Sequence, residues 1–534
     1  MLAILPLALL VITALAVYIL RYLPRGTGYA WLTAVLMALI TWGGVLALNW
    51  YEPQELVITP WRPFDPENAD AIRLGWDSIS WVYGFSLISA ELAVLMTAAA
   101  RLRLNSNPAT WAANLFIAAA GIAAVLAQTP LALLLAWVIF DVLDLLVVMR
   151  LSRAWKYASS GVMAFVVRTI SSFMLISALA IQRVDGGPLT FDTMLPQASL
   201  LVLLSIGLRL GLLPLNTPYS EDIPFQRGLI SFIRLAAHTA GLAALARFPQ
   251  TGVPAAWQLP LYIVTVFAIL HGSVMWLTAR NEIQGRPYWL LVLSGLSFIC
   301  VLQGQPLASL AWGLVMVTSG MGLFLYSART RGLIFLPLLG ALALTGLPFT
   351  PAASGWAGLV TIPLNMGELI IILSIAMLLV GYVRHGTRLA EDFNELDGWV
   401  RGIYPFGLVL VVLSGWLAAV FGLPGGINAR QWLPAILTTA LAATIGVISW
   451  WFASGGMAFL SANTWPVKLL RGAGQFLAQS HRLSWFYDFL WLIYRGLRQL
   501  VRFATVLFEG EGGMMWAFVL LALLITLLSG RGVF

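Results

Sequence analysis

Leu200–Arg247 reads LLVLLSIGLRLGLLPLNTPYSEDIPFQRGLISFIRLAAHTAGLAALAR. An apolar run carries one arginine, Arg209, and breaks at Pro214. A short polar loop follows, with Asn216, Glu221, Asp222 and Pro224. A second apolar run then carries Arg234 and His238. Fixed charge inside an apolar span is costly, and an interrupted helix leaves backbone groups to satisfy. A bilayer protein holds such features where they face a protein-lined, hydrated interior. The stretch therefore points to a polar path inside a membrane protein.

The composition agrees. The 534-residue chain is 60% hydrophobic and 10% charged, against about 25% charged in soluble domains. Apolar runs long enough to span a bilayer recur from end to end. They fall at 2–20, 29–49, 77–100, 109–127, 129–149, 160–182, 197–214, 228–247, 258–279, 287–303, 306–327, 333–347, 352–383 (broken), 404–423, 431–453 and 514–530. The first run lacks a basic flank and a small-residue cleavage site, so it reads as a retained span and not a signal peptide. With the N-terminus outside and strict alternation, inner loops hold 21 Lys/Arg and outer loops six; Arg168, Arg209 and Arg234 lie within spans. The positive-inside asymmetry selects sixteen spans and an extracytoplasmic N-terminus, and the expected location is a bacterial-type inner membrane. The net charge of +8 then reflects basic cytoplasmic loops and not nucleic-acid binding.

The single cysteine, Cys300, allows no internal disulfide and no thiolate metal site. No phosphate-binding loop or dinucleotide fingerprint occurs, so no flavin, iron–sulfur, nucleotide or metal site is expected in this chain. Any redox chemistry belongs to partners.

The loop Tyr51–Trp76 reads as an irregular or hairpin segment on the outer face. From Ser484 the tail reads SWFYDFLWLIYRGLRQLVRFATVLFEGEGG, with Arg495, Arg498 and Arg502 at helical spacing among aromatic and aliphatic residues. That is an amphipathic helix suited to a membrane face or a neighbouring subunit.

Two segments are alike: Gly211-Leu212-Leu213-Pro214-Leu215-Asn216-Thr217-Pro218 and Gly346-Leu347-Pro348-Phe349-Thr350-Pro351. They lie five spans apart, and an odd separation reverses membrane orientation, as inverted repeats require.

Asp141 sits mid-span in LLLAWVIFDVLDLLVVMR, with Asp144 on the same helical face. With Arg168 and Arg209, the pair reads either as a proton-exchanging group or as a buried ion-pair network that fixes helix packing. His238, and His271 in the ninth span, are the intramembrane histidines able to switch near neutral pH. Glu368 is the only carboxylate of its span; its place near a helix start favours a capping role.

Taken together, these residues resemble the antiporter-like membrane subunits of respiratory complex I and of Mrp-type cation/proton antiporters. The family's broken helix has a lysine, four further residues and then Pro-Leu-His; here Arg209 stands five before Pro214, with Leu215 and Asn216 following. Ser231 to Gly241 is similar to the family's next span, Val166-Val167-Arg168 to its Val-Asn-Arg, Phe140-Asp141 with Leu145 to its Phe-Trp-Glu-x-x-x-Leu, and Leu342 to Pro348 to its Leu-Ala-Leu-x-Gly-x-Pro-Pro. The similarity covers about residues 75–360, and the tail with its extra span is most like the large distal subunit.

The resemblance implies an all-α polytopic fold of about sixteen spans, with two inverted five-helix repeats and broken helices. It implies a lateral helix at the C-terminus and a central Glu/Lys/His relay passing protons. The organisation it implies is 1–108 N-terminal spans and external loop, 109–247 first repeat, 258–383 a degenerate second repeat, 404–453 C-terminal spans, 454–513 the lateral segment and 514–534 the final span. It implies a proton-translocating or coupling subunit, with other membrane subunits, lipid, and protons or monovalent cations as partners. At most it is a non-redox subunit of an NADH:quinone oxidoreductase-like translocase. The path residues so implied are Asp141, Asp144, Arg168, Arg209, Arg234 and His238.

The chain departs from the pattern. Arginine replaces the relay lysine, and an arginine effectively cannot release its proton. Glu282-Ile283-Gln284-Gly285-Arg286 replaces Asp-x-Lys-Arg, Trp312 to Tyr326 lacks the relay His and Lys, and Ala353 to Leu359 is neutral. A non-pumping scaffold and a stand-alone secondary transporter are the alternatives.

Overall fold

A computed structural model describes residues 4–23, 26–51, 53–58, 72–101, 107–151, 155–185, 187–213, 227–327, 331–361, 363–388, 396–425 and 432–453. It also describes helical positions at 492, 495, 496, 498, 499, 518, 519, 521 and 522. The polar loop 214–226, most of the amphipathic tail and most of the last apolar run lie outside the described residues. Two compact units are present, Met1–Ser454 and Gly455–Phe534. In the second, the described positions are helical and exposed.

The first unit is a helical bundle. Its helices are α1 (Leu5–Leu20), α2 (Gly26–Leu48), α3 (Ser78–Thr97), α4 (Pro108–Leu126), α5 (Pro130–Leu151), α6 (Trp155–Val184), α7 (Pro196–Arg209), α8 (Arg227–Ala246), α9 (Ala255–Thr278), α10 (Glu282–Leu302), α11 (Ser309–Leu325), α12 (Phe335–Thr345), α13 (Met366–Gly386), α14 (Val400–Gly422) and α15 (Trp432–Ala453). Each overlaps one of the first fifteen apolar runs, several extending a few residues beyond it. Among the described residues, eleven helices are long and apolar enough to cross a membrane. Helices answer the demand that a bilayer makes, because every backbone N–H and C=O bonds within its own segment. Polar residues mark the starts: Asp77, Asn107, Asn281 and Asn365 each accept a backbone N–H from the first turn of α3, α4, α10 and α13.

Tyr51–Trp76 holds a short antiparallel hairpin, β1 (Gln54–Ile58) with β2 (Ile72–Trp76), in register Leu56 opposite Leu74. The Arg73 carbonyl accepts from Gln128 N at 3.0 Å, which seats the hairpin on the turn between α4 and α5.

α3, α8 and α11 pack on one another at the centre, with α4, α10 and α14 around them. The 18-residue apolar windows of α3 and α8 are each 94% buried. α5 and α6 lie further out, with exposed apolar faces formed by Ile139, Leu146, Met163 and Phe173. α8 is tied at both ends. Arg247, just past its C-terminus, reaches the Asp77 carboxylate and the Ser80 hydroxyl, the latter at 2.6 Å. Arg227, at its N-terminus, pairs with Glu282 and donates to the Phe324 carbonyl.

The interruptions differ from the sequence reading. α7 stops at Arg209, before Pro214, and its break falls at Gly211, where φ is 75°. The proline is not needed to end a helix whose next turn already closes on a left-handed glycine. The broken run 352–383 resolves into a 3₁₀ turn, Ala353–Gly358, and α13. α12 ends in the same way as α7, with Gly346 at φ 68°. A Cβ added at Gly346 would lie 2.0 Å from Nε1 of Trp356.

Gly346→Ala is therefore expected to destabilise the protein by more than the about 1–3 kcal/mol that a left-handed non-glycine residue costs, because the indole must also move. A thermal-unfolding scan of the detergent-solubilised chain checks this; an unchanged midpoint would contradict the close packing.

Candidate functional site

α5 and α6 each present an exposed apolar face, so their charges collect on the buried side. Asp141 and Asp144 sit one turn apart on α5, Arg168 on α6 and Arg209 at the last residue of α7, each at most 6% exposed. Arg209 grips Asp141 with both terminal nitrogens, Nη2 to Oδ1 at 2.6 Å and Nη1 to Oδ2 at 2.9 Å. Such a two-pronged contact is the strong form of the guanidinium–carboxylate bond. Arg168 Nη1 lies 3.5 Å from Asp141 Oδ1 and bonds Asp144. The result is an alternating row, Arg209–Asp141–Arg168–Asp144, with two charges of each sign.

Local packing sets the row. The Arg209 guanidinium stacks on the Trp137 ring at 4.4 Å, and Trp137 is one turn before Asp141. Ser205 donates to the Ser171 carbonyl at 2.7 Å, and Ser171 to the Ser205 carbonyl at 2.9 Å. This reciprocal clasp locks α6 to α7 one turn from Arg168 and Arg209.

Arg234 and His238 are placed differently. Both lie on α8, with Arg234 buried and His238 half-buried. His238 Nδ1 is 2.9 Å from the Arg234 carbonyl, so its hydrogen bond goes to its own helix and not to either aspartate. The structure thus gathers four of the six candidate residues into one network and sets the other two on the neighbouring helix. His271 is buried elsewhere, its ring edge-on to Tyr288 at 6.1 Å.

The second half is built from different chemistry. α11 carries no ionisable side chain. Trp276, Trp289, Trp312 and Trp356 are among the largest fully buried side chains. Trp276 packs on Trp289 at 5.3 Å, and Trp312 on Trp356 at 5.6 Å. Trp276, Trp289 and Trp312 donate their indole N–H to the carbonyls of Leu378, Met316 and Gly355 at 3.1, 3.2 and 3.1 Å. Tyr382 donates to the Ser319 carbonyl at 2.8 Å. Glu368 is wholly buried and closes a capping box with Asn365 at the start of α13. It also accepts from Thr361 N at 3.0 Å and from the Thr361 hydroxyl at 2.8 Å. That is a satisfied cap, as its position near a helix start suggests.

Three polar groups escape a sequence reading. Glu282, Arg227 and Arg286 form a second charged cluster, in which Arg286 Nη1 donates to the Ser231 hydroxyl at 2.7 Å. Its signal was the Glu–Arg spacing of four at the start of α10. His385 is buried, with Nε2 3.1 Å from the Trp276 carbonyl; beside Arg384 it passes for part of a loop. Glu91, in the middle of α3, is fully buried against Asn114 of α4. Among the described residues no group of three or more His, Cys, Asp or Glu is placed to hold a metal.

No protein family matches the sequence, and no curated protein does. Solved structures do. A chain of the membrane-bound sulfane sulfur reductase, an archaeal respiratory membrane complex, is 13% identical with a TM-score of 0.67, over 98% of this chain and 99% of that one. A chain of the Mrp complex from Dietzia sp. DQ12-45-1b is 16% identical with a TM-score of 0.64, over 95% of this chain and 63% of that longer one. A chain of respiratory complex I from Thermus thermophilus is 17% identical with a TM-score of 0.58, over 82% of this chain and 99% of that one. The likeness is one of fold. This is an all-α, multi-pass membrane protein that shares the fold of chains from these assemblies.

Removing one member of a buried ion pair strands the other, at about 3–5 kcal/mol. Asp141→Asn or Arg209→Gln alone is expected to destabilise on that scale, and the double variant by clearly less than the sum. Unfolding midpoints of the four proteins in one detergent give the coupling; additive losses would dissolve the network.

Proposed function

We propose that the chain is an antiporter-like membrane subunit of a complex I-related or Mrp-like assembly, in which its first half couples proton or monovalent-cation movement to partner subunits. In this reading it crosses a bacterial-type inner membrane sixteen times from an extracytoplasmic N-terminus. Residues 109–247 and 258–383 are its two inverted repeats, and 454–513 is a lateral segment that lies along neighbouring membrane subunits. The observation that carries the reading is the row Arg209–Asp141–Arg168–Asp144, buried beside the interrupted end of α7.

The row suits charge coupling. Arg209 and Arg168 hold fixed positive charge, since guanidinium does not deprotonate at physiological pH. Proton exchange therefore falls to the carboxylates and to His238 on the adjoining helix. Loosening Arg168 from either aspartate would leave a carboxylate short of one cation and ready to take a proton or a monovalent cation in its place. Arginine in the position of the relay lysine makes this half a charge switch, with no proton carried on the basic residue itself.

A second reading has its own observation. Indoles of Trp276, Trp289 and Trp312, bonded to backbone carbonyls, with Trp356 packed on Trp312, occupy the second half where the resemblance implies relay residues. That favours a non-pumping scaffold, whose charged row serves helix packing.

Transport by the intact assembly in sealed vesicles separates the two. Asp141→Asn and His238→Ala are each expected to lower proton or cation translocation at least tenfold while the assembly remains intact. Unchanged translocation in both variants would leave the scaffold. Arg209→Lys is expected to retain part of the activity, because it preserves the charge while losing the two-pronged grip.

A further inference from the structure

Glu91 lies in the fourteenth position of α3, a helix wholly enclosed by its neighbours, and is 0% exposed. Its one hydrogen-bond partner is the Asn114 amide of α4, whose Nδ2 donates to Oε2. The second carboxyl oxygen, Oε1, and the amide oxygen of Asn114 are both buried without a protein hydrogen-bond partner.

Among the described residues, no cation pairs with this carboxyl. The helices packed on α3 are α2, α4, α8, α11 and α14. α4 and α11 carry no ionisable side chain, and α2 carries only Tyr29. α8 brings Arg227, Arg234 and His238, with Arg247 beyond its end. Arg227 binds Glu282, Arg247 binds Asp77 and His238 meets the Arg234 carbonyl. None of the four, Arg234 included, forms an ion pair with Glu91. α14 brings Arg401, which donates to the Leu396 carbonyl, and Tyr404, which donates to the Leu325 carbonyl. Arg73 on β2 pairs with Glu55. Arg101 follows α3 ten residues on, about 15 Å along the axis by helix rise. Tyr83 lies on α3 itself, two turns from Glu91. An ionised Glu91 would be a buried charge with no counter-ion, the costliest arrangement that a membrane interior offers.

We propose that Glu91 is a membrane-buried proton-binding site that carries a resident proton, with the neutral acid and the Asn114 amide paired reciprocally across the α3–α4 contact. A protonated carboxyl gains one O–H donor. Placed on Oε1, that donor meets the Asn114 oxygen, so one proton satisfies both unpartnered atoms. The amide N–H already meets Oε2, and the two bonds close an acid–amide ring. The pair joins α3 to α4 with no net charge, separate from the Asp141 row.

Infrared spectroscopy of the purified full-length chain, with and without carbon-13 glutamate, tests this. The expected result is a protonated-carboxyl C=O band at pH 7 that shifts on labelling and is absent from Glu91→Gln. Asn114→Leu should move the band to higher frequency, because the acid then loses its hydrogen-bond partner. A label-sensitive band missing from the wild-type chain at pH 7, or one that persists in Glu91→Gln, would overturn the proposal. Where Glu91→Gln fails to fold, Asn114→Leu assigns the band by its shift, and a label-sensitive band that does not move in Asn114→Leu would overturn the proposal.

Discussion

Lipid offers no hydrogen bonds and little stabilisation of charge, so every polar group inside this protein must find its partner within the protein. That constraint shapes the whole bundle. Backbone groups are satisfied by helix formation, and serine and threonine hydroxyls turn back onto carbonyls one turn earlier, as Ser86 does to Val82 at 2.6 Å and Thr239 to Leu235 at 2.7 Å. Where helices stop inside the bundle, indoles and caps take over, as Trp312 does for Gly355 and Glu368 for Thr361. The charged row on α5, α6 and α7 is the strictest case: four ionised groups persist there because each has an opposite neighbour.

The two halves meet the constraint in opposite ways. The first keeps its charges and pairs them, which leaves a set of groups whose partners can change. The second, around the uncharged α11, packs large aromatic rings, and Trp276, Trp289 and Trp312 donate to backbone carbonyls there. A charged network can exist in more than one pairing; an indole bonded to a carbonyl and packed on another indole cannot rearrange without opening a void. Between the two halves α8 is clamped by Arg247 at one end and Arg227 at the other.

Glu91 illustrates a third answer. Instead of recruiting a cation, the structure places an amide against the acid, and the pair is complete when the acid is neutral. A protein whose resemblance implies proton movement thus has carboxyls paired with arginine on α5 and, on α3, one with no cation partner among the described residues.

Much of this was legible in the residue order. The positions of α1 to α15 follow from apolar runs, because in lipid length and hydropathy alone select a helix. That Arg209 needs a buried carboxylate was implied by charge, since an arginine within a span demands one. Other features were invisible to it. Gly211 ends α7 before Pro214 does, because the left-handed turn is a property of backbone packing that a proline merely permits. His238 turns to the Arg234 carbonyl of its own helix, a choice of partner that residue order does not mark. Glu91 sits in a run apolar on every side, so no periodicity marks which helix it faces, and only the packing of α4 on α3 supplies Asn114. Sequence thus determined where the chain must be helical and where charge must be paired, because those are local costs of the solvent. Which partner each charge takes, and which half is filled by tryptophan, depends on contacts between distant helices, and only the tertiary fold decides those.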